Sequence, residues 1–564
     1  MNIIVGTGFL TLPWAFQKTG IVLSVLLLAF IALISQVASC YVLETMSRYM
    51  ILKGEYGEFF GKHSKGLKQN VKYDDLEGHE EERRLLTFSS GEKIIIENKT
   101  MKNGENSGGN IVDITDMCEY FLGGVGRNCY LTIVMVNIYS TLTCFCSVFA
   151  TSMAYQAPVY QKYDHNYNLW LAVFFVITVP ASCVELNEQI SWQVFLTHCR
   201  LLLVVAMIGT MFLAVYMHRS IEGPNREDAY VGFGFNSFPD APYGAPMWNI
   251  DGALVLLPLG AASNVFHYSI PSISQPIQDK NSLAYVFGTT VFVCFIVYSL
   301  IGACLAYYFG ASMPPSANTA WSSFHGSAEG HYQWIANCLS TYIVLFPALD
   351  VSSAFPLNAI SLGHSMYTTM QESSYDKNDG KFKVGMVKDN SNEYDNVCND
   401  CDSNFSNKGG MGKYLDWSRR FTEVELKVIY RLLASCPPFI FAIIVNDLEK
   451  ITTYAGINAF LISMVFPPLL AFMSKRKMVS QGLSWETAFS NKYFSNEITT
   501  LSMLLLGVCF FIFVIFEVVQ KEYTQNEMET RPYRDESGYY EEMRTAVVKN
   551  ITNLIKDSNS DSSR

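Results

Sequence analysis

Two places where glycine and proline interrupt long apolar runs are where this 564-residue chain could do chemistry. The first is Gly6-Thr7-Gly8, inside the apolar run that opens the sequence. Within a bilayer every backbone N–H and C=O needs a partner, so a glycine-rich interruption persists only where it is buried in protein or lines a cavity. Without side chains at positions 6 and 8 the chain can unwind and leave amides and carbonyls free for a ligand. The half-helix that follows, Leu10 to Phe16, would point its positive N-terminal end at the gap, where a carboxylate is stabilised. The half-helix before it ends in free carbonyls, suited to an ammonium group or a cation, so one break offers complementary ends to a zwitterion. The second place is Pro258-Leu259-Gly260-Ala261-Ala262-Ser263-Asn264, where the proline removes a donor and the small residues permit close backbone approach. Either break alone reads as helix packing, whereas two breaks at corresponding places in two halves point to a ligand site at the bilayer midplane.

Ionisable groups inside apolar runs are the next candidates. Asp350 follows such a run, and a carboxyl at that depth could load and release a proton as a site alternates between faces. The alternative is a carboxylate in a water-filled vestibule, or one receiving hydrogen bonds from Ser352, Ser353 or Asn358. His267 is a second candidate proton carrier, since imidazole titrates near neutral pH; a histidine bracing one helix against its neighbours is the other reading. Arg200 and His198 are expected to snorkel to the interface, and Glu44 and Glu517, close to span ends, to be solvated. Asn137 and Tyr139 read either as pocket members or as interhelical glue. Cys398-Asn399-Asp400-Cys401 has the spacing of half a zinc site, but no second pair follows. The chain has no P-loop, Gly-x-Ser-x-Gly or His-Glu-x-x-His motif, so a gradient rather than bound nucleotide would supply energy and no enzyme chemistry is expected.

The elements that must position these groups are membrane spans. Half of the residues are hydrophobic and only 16% are charged, which excludes an ordinary soluble chain, and the net charge of −11 argues against nucleic acid. Eleven runs are long and apolar enough to cross: about 1–17, 21–47, 128–155, 168–184, 193–217, 251–270, 283–309, 332–362, 424–445, 449–473 and 497–519. The first begins at Met1 with few residues ahead of its glycines, so either a neighbouring element completes it or upstream residues belong to it. The organisation expected is 1–47, two spans; 48–126, a polar insert without structure; 127–369, six spans; 370–420, a second such insert; 421–519, three spans; and 520–564, a tail. Lys475, Arg476 and Lys477 after the tenth span place that face, and both inserts, in the cytosol. The tail then lies outside or in a lumen, where the acceptor Asn550-Ile551-Thr552 could be used.

The run Asn2-x-Ile4-x-Gly6-Thr7-Gly8-x-Leu10-x-Leu12-Pro13-Trp14-Ala15-Phe16-x-x-x-Gly20 closely resembles the opening helix of the amino acid/auxin permease family. His267-Tyr268-Ser269-Ile270-Pro271 with Gln278-Asp279 is similar to that family's sixth-helix ending, nearest its vesicular, neutral amino-acid branch. Gly456 with Phe466-Pro467 resembles its late glycine and proline, and the resemblance follows all eleven spans in order. It implies a LeuT-type all-α fold, with two inverted five-helix repeats, an eleventh helix and discontinuous first and sixth spans. It also implies secondary transport of amino acids. The small residues Gly260, Ala261 and Ala262 would leave volume in the pocket, which suits neutral amino acids, bulky or aromatic ones included, with cationic ones as the rival if Asp350 faces the pocket. Substrate would meet Gly6, Thr7, Gly8 and Phe9, the stretch Leu259, Gly260, Ala261, Ala262 and Ser263, and Asn137. Asn2 sits where sodium-coupled relatives bind the ion, but Leu349 falls at the partner hydroxyl position beside Asp350, which favours a proton. Cation coupling would then involve Asn2, Asp350, Ser353 and His267, with no cofactor. The partners expected are the substrate, the lipid bilayer and cytosolic proteins that bind the inserts; the host is a plasma or a vacuolar or lysosomal membrane. A nutrient sensor that uses the same site, and signals through the inserts, is the competing class.

Overall fold

The computed structural model describes residues 7–54, 72–73, 84–87, 93–96, 113–184, 189–219, 234–235, 245–274, 277, 279–325, 333–375, 423–445 and 448–530. Two compact units divide the chain, Met1–Val508 and Cys509–Arg564. The described part of the second is the C-terminal portion of the last helix. Among the described residues ten helical segments are long and apolar enough to cross a bilayer, so this is a multi-pass, helical membrane protein.

These ten overlap the second to eleventh runs read from the sequence. The first run is different. Its described residues form a 3-10 turn, Thr7–Leu10, and then an eight-residue helix, α1, Leu12–Thr19. At about 1.5 Å per residue α1 alone spans about 12 Å. Pro13 falls in its first turn, where a missing N–H costs no intrahelical bond. Gly20 ends it at φ +93, and a Cβ there would lie 2.7 Å from the Trp248 backbone N.

Helix α2 (Ile21–Lys53) runs beyond residue 47 because nothing breaks it before Gly54, which turns left-handed at φ 76. Helix α3 (Ile114–Gln156) starts well before the expected 128, inside the 48–126 stretch. Asp113 caps it by accepting from Ile114 N, while Asp116 accepts from Asp113 N, and Gly123 (φ 76) kinks the helix where the sequence reads as a boundary. That stretch also contains three short antiparallel strands, β1 (Lys72–Tyr73), β2 (Arg84–Thr87) and β3 (Lys93–Ile96), so it is not wholly without structure. Ile94, Ile95 and Ile96 of β3 and Thr87 of β2 are β-branched residues of the kind strands favour.

Then follow α4 (Tyr163–Cys183), α5 (Gln189–Arg219), β4 (Gly234–Phe235), α6 (Ala253–Ser263), α7 (Ile270–Ser274), α8 (Leu283–Phe309), β5 (Phe324–His325) and α9 (Gln333–Tyr375). Strands β4 and β5 pair, Gly234 opposite His325. Pro437 separates α10 (Glu423–Ser435) from α11 (Pro437–Ile444). In the tenth span a π turn, Leu461–Val465, joins α12 (Leu448–Phe460) to α13 (Phe466–Ser480), with Pro467 and Pro468 just after it. The last helix, α14, is Glu497–Thr530.

Small residues set how closely these helices meet. A Cβ on Gly456 of α12 would lie 2.2 Å from the Pro258 carbonyl of α6, and one on Gly302 of α8 would lie 2.8 Å from the Phe16 ring of α1. Within the first unit, α1, α6, α8 and α12 are therefore in contact near the two interruptions.

Candidate functional site

The two breaks meet. A Cβ on Gly8 would fall 2.5 Å from Ser263 Oγ and 3.2 Å from Ser263 Cα, so only glycine lets the first break lie against the end of α6. The Gly8 carbonyl accepts from both the backbone N and Oγ1 of Thr11. Phe9 is buried beside it. Asn2 and Gly6 lie outside the described residues, as does the Thr7 side chain.

The interruption of the sixth span begins at the last residue of the expected stretch, Asn264. Pro258 to Ser263 remain helical, and the chain leaves the helix at Asn264–Phe266 before a 3-10 turn, His267–Ser269, leads into α7. Five carbonyls in and beside the break accept hydrogen bonds. Ser263 Oγ donates to Leu259 O (2.8 Å), Asn264 Nδ2 to Gly260 O (2.9 Å) and Asn264 N to Ala261 O (3.1 Å). From neighbouring helices, Tyr298 OH of α8 donates to Ser263 O (3.3 Å) and Ser35 Oγ of α2 to Asn264 O (3.3 Å). Side chains thus replace the helical bonds that the break gives up.

Ser35 holds the far side of the break as well, because its carbonyl lies 3.0 Å from His267 Nε2. A neutral imidazole that donates there presents Nδ1 as an acceptor. His267 Nδ1 and Asn264 Oδ1 are buried and have no hydrogen-bond partner among the described residues. Two buried acceptors in one helix break are a place where a donor, such as an ammonium group, gains more than it would in water.

The small residues do not all leave volume. A Cβ on Gly260 would meet Ile31 Cδ1 at 2.7 Å, so α2 already fills that space. Ala261 is buried, and Ala262 alone of the three is half-buried. Leu259 and Ser263 are buried. Asn137 is buried on α3, where its carbonyl accepts from Thr141. Tyr139 ties helices together: its hydroxyl donates to Leu433 O at 2.7 Å.

Asp350 belongs to an ion pair. Both its oxygens lie 2.6 Å from Arg200 Nη2, with each residue 6% exposed, so Arg200 does not snorkel but crosses from α5 to α9. Ser353 is half-buried one turn further along α9, and Leu349 beside Asp350 is exposed. Glu44 departs from expectation in the same way: it is 2% exposed and pairs with Arg48 at 2.6 Å. The spacing of Glu44 and Arg48, four apart on one helix, was a signal the reading from span ends overlooked. No comparable signal in the sequence marks Ser35 or Tyr298, ordinary polar residues in apolar runs. Gln278, the Cys398–Cys401 pair, the Asn550 acceptor and the Glu517 side chain lie outside the described residues.

Residues 1–68 match the family model described as transmembrane amino acid transporter protein, and this segment contains the first break. Over nearly its whole length the chain is similar to proteins named Transmembrane protein 104. The homolog of Dictyostelium discoideum is 21% identical over 538 residues, covering 90% of this chain and 93% of the relative. The human protein is 21% identical over 568 residues (92% and 95%), and the Caenorhabditis elegans homolog 24% identical over 390 residues (64% and 65%). The likeness of the opening segment to amino acid transporters, and the many spans, point away from an enzyme.

Proposed function

We propose that this protein is a secondary active amino-acid transporter that works by alternating access, with a LeuT-type arrangement of inverted repeats. The observation that carries the reading is the meeting of two interrupted spans, the first and the sixth, at Gly8 and Ser263. The match of residues 1–68 to transmembrane amino acid transporters supports it independently. Substrate carboxylate is received at the break around Gly6 to Phe9, and the amine by the acceptors beside it, Asn264 Oδ1 and His267 Nδ1 among them. Ala261, Ala262 and Asn137 border the side chain. Neutral amino acids are the substrate class, though Ile31 has taken the volume at Gly260 that would have favoured the bulkiest of them.

Coupling is to protons. Asp350 is paired with Arg200, so loading a proton on that carboxyl would dissolve the pair and loosen α5 from α9. The ion is thereby tied to helix packing, as coupling requires: an ion of equal affinity for both conformations shifts nothing. The test is uptake of an amino-acid panel by proteoliposomes under imposed proton or sodium gradients. Accumulation driven by an inward proton gradient is expected. Proton-dependent flux that survives intact in Asp350→Asn removes Asp350 as the carrier, and wild-type protein that moves no amino acid removes the transport reading.

A further inference from the structure

One charge cluster in the first unit is unused by the site. Glu44 and Arg48 of α2 are 2% and 1% exposed, and both are fully engaged. Arg48 Nη2 holds Glu44 Oε2 at 2.6 Å, Nη1 donates to Ala471 O (3.2 Å) and Ser474 Oγ (3.1 Å) of α13, and Nε donates to Trp485 O (3.0 Å). The other Glu44 oxygen accepts from Ser495 Oγ. Lys475 of α13 is 8% exposed, donates to Ser495 O (3.3 Å) and lies 3.8 Å from the Trp485 ring centroid. Tyr41 OH donates to Phe494 O at 2.7 Å.

Trp485, Phe494 and Ser495 all belong to the segment 481–496 that joins α13 to α14. Side chains of α2 and α13 hold three main-chain carbonyls and one hydroxyl of this segment, while Thr499 and Thr500 of α14 hold the Tyr493 and Asn496 carbonyls at its far end. Replacing a buried ion pair by apolar packing is often neutral or stabilising, so such a pair is a poor choice for a passive brace. Carbonyl acceptors, by contrast, exchange readily for water once exposed. In the alternating-access reading the first, second, sixth and seventh spans rock against the others, so α2 belongs to the moving group and α13, in the tenth span, does not, and the segment bridges the plane of movement.

We infer that residues 481–496 form a strap latched to α2 and α13 by the Glu44–Arg48–Lys475 cluster, and that its release lets these helices part on the face carrying Lys475, Arg476 and Lys477. The inference rests on the alternating-access reading. It is tested on full-length protein in nanodiscs, with spin labels on unnatural residues at Lys53 and Val479, both exposed at the ends of α2 and α13. Electron paramagnetic resonance reads their separation, and hydrogen exchange reads the amides of 481–496. Arg48→Ala, Ser495→Ala and Tyr41→Phe are each expected to add a longer-distance population and to speed strap exchange about tenfold, with exchange elsewhere unchanged. Where Arg48→Ala does not fold, the two milder variants carry the test. Faster exchange with an unchanged distance means a brace, and no change in either means the cluster does not hold the strap; both overturn the inference. Wild-type protein that takes up no amino acid would remove the transport reading alone, since the distance measurement does not depend on flux.

Discussion

Gly8 has room for a hydrogen and nothing larger, since a methyl group would press on Ser263 Oγ, Cβ and Cα together. Gly8→Ala is expected to reach the membrane but to lose at least about tenfold in uptake, the size expected when a well-packed contact is overfilled. Gly8→Ala combined with Ser263→Gly should recover part of it, and equal failure of single and double variants in proteoliposome uptake would show that the contact is not what matters. The Asp350–Arg200 pair makes a prediction of a different kind. Removing one partner leaves a buried charge uncompensated, so Asp350→Ala should destabilise by about 3–5 kcal/mol, while Asp350→Leu with Arg200→Met should destabilise much less. Thermal unfolding in detergent measures the difference, and a double variant as unstable as the single one would contradict the pairing. In the sequence Asp350 stood out by depth alone. Its partner could not be named, because Arg200 is 150 residues away and joins it only through packing of α5 on α9.

At the scale of elements, α6 is fixed by its neighbours more than by its own sequence. Gly456 of α12 lies against the Pro258 carbonyl, and Gly456→Ala should cost about 1–3 kcal/mol by forcing the two helices apart. A melting temperature equal to that of wild type would show that α12 can yield. Spans were legible because about 20 apolar residues in a row have few alternatives to crossing a bilayer. Less legible was where they stop. Residues 114–127 are too polar and glycine-rich to read as a span, yet Asp113 and Asp116 cap them into α3. The stretch Pro258 to Asn264 marks the sixth-span break, yet Pro258, whose missing N–H a helix can absorb, does not end the helix; the break begins only at Asn264, directly after Ser263, where Ser35 and Tyr298 supply replacement bonds. Such partners come from other helices, and local pattern does not contain them.

For the whole molecule, the distribution of basic residues leads to a topology that can be checked without transport. With Lys475, Arg476 and Lys477 in the cytosol, as the positive-inside rule leads one to propose, the tail after α14 would lie on the opposite side. Expression in a glycosylating host should then give a glycosidase-sensitive mobility shift that Asn550→Gln abolishes; a shift abolished instead by changing Asn98 or Asn404, in the acceptor triplets Asn98-Lys99-Thr100 and Asn404-Phe405-Ser406 of the two inserts, would invert the orientation. The broad class was readable from composition, because a chain half apolar and sparsely charged has no other stable home. The polar interior was not, since Glu44–Arg48 and Asp350–Arg200 depend on which helices become neighbours.

The turn between α1 and α2 is sewn to the segment that enters α6: Ile21 N and Val22 N donate to Pro246 O and Met247 O, Asn249 N to Thr19 O, and Thr19 Oγ1 to Gly252 O at 2.6 Å. Together with the contact of Gly8 and Ser263, this joins α1 and α6 at both ends, so that in the proposed transporter the two would move as a single crank rather than two independent hinges. Damage at the remote weld, far from any cargo, would therefore slow turnover as surely as damage in the cradle itself.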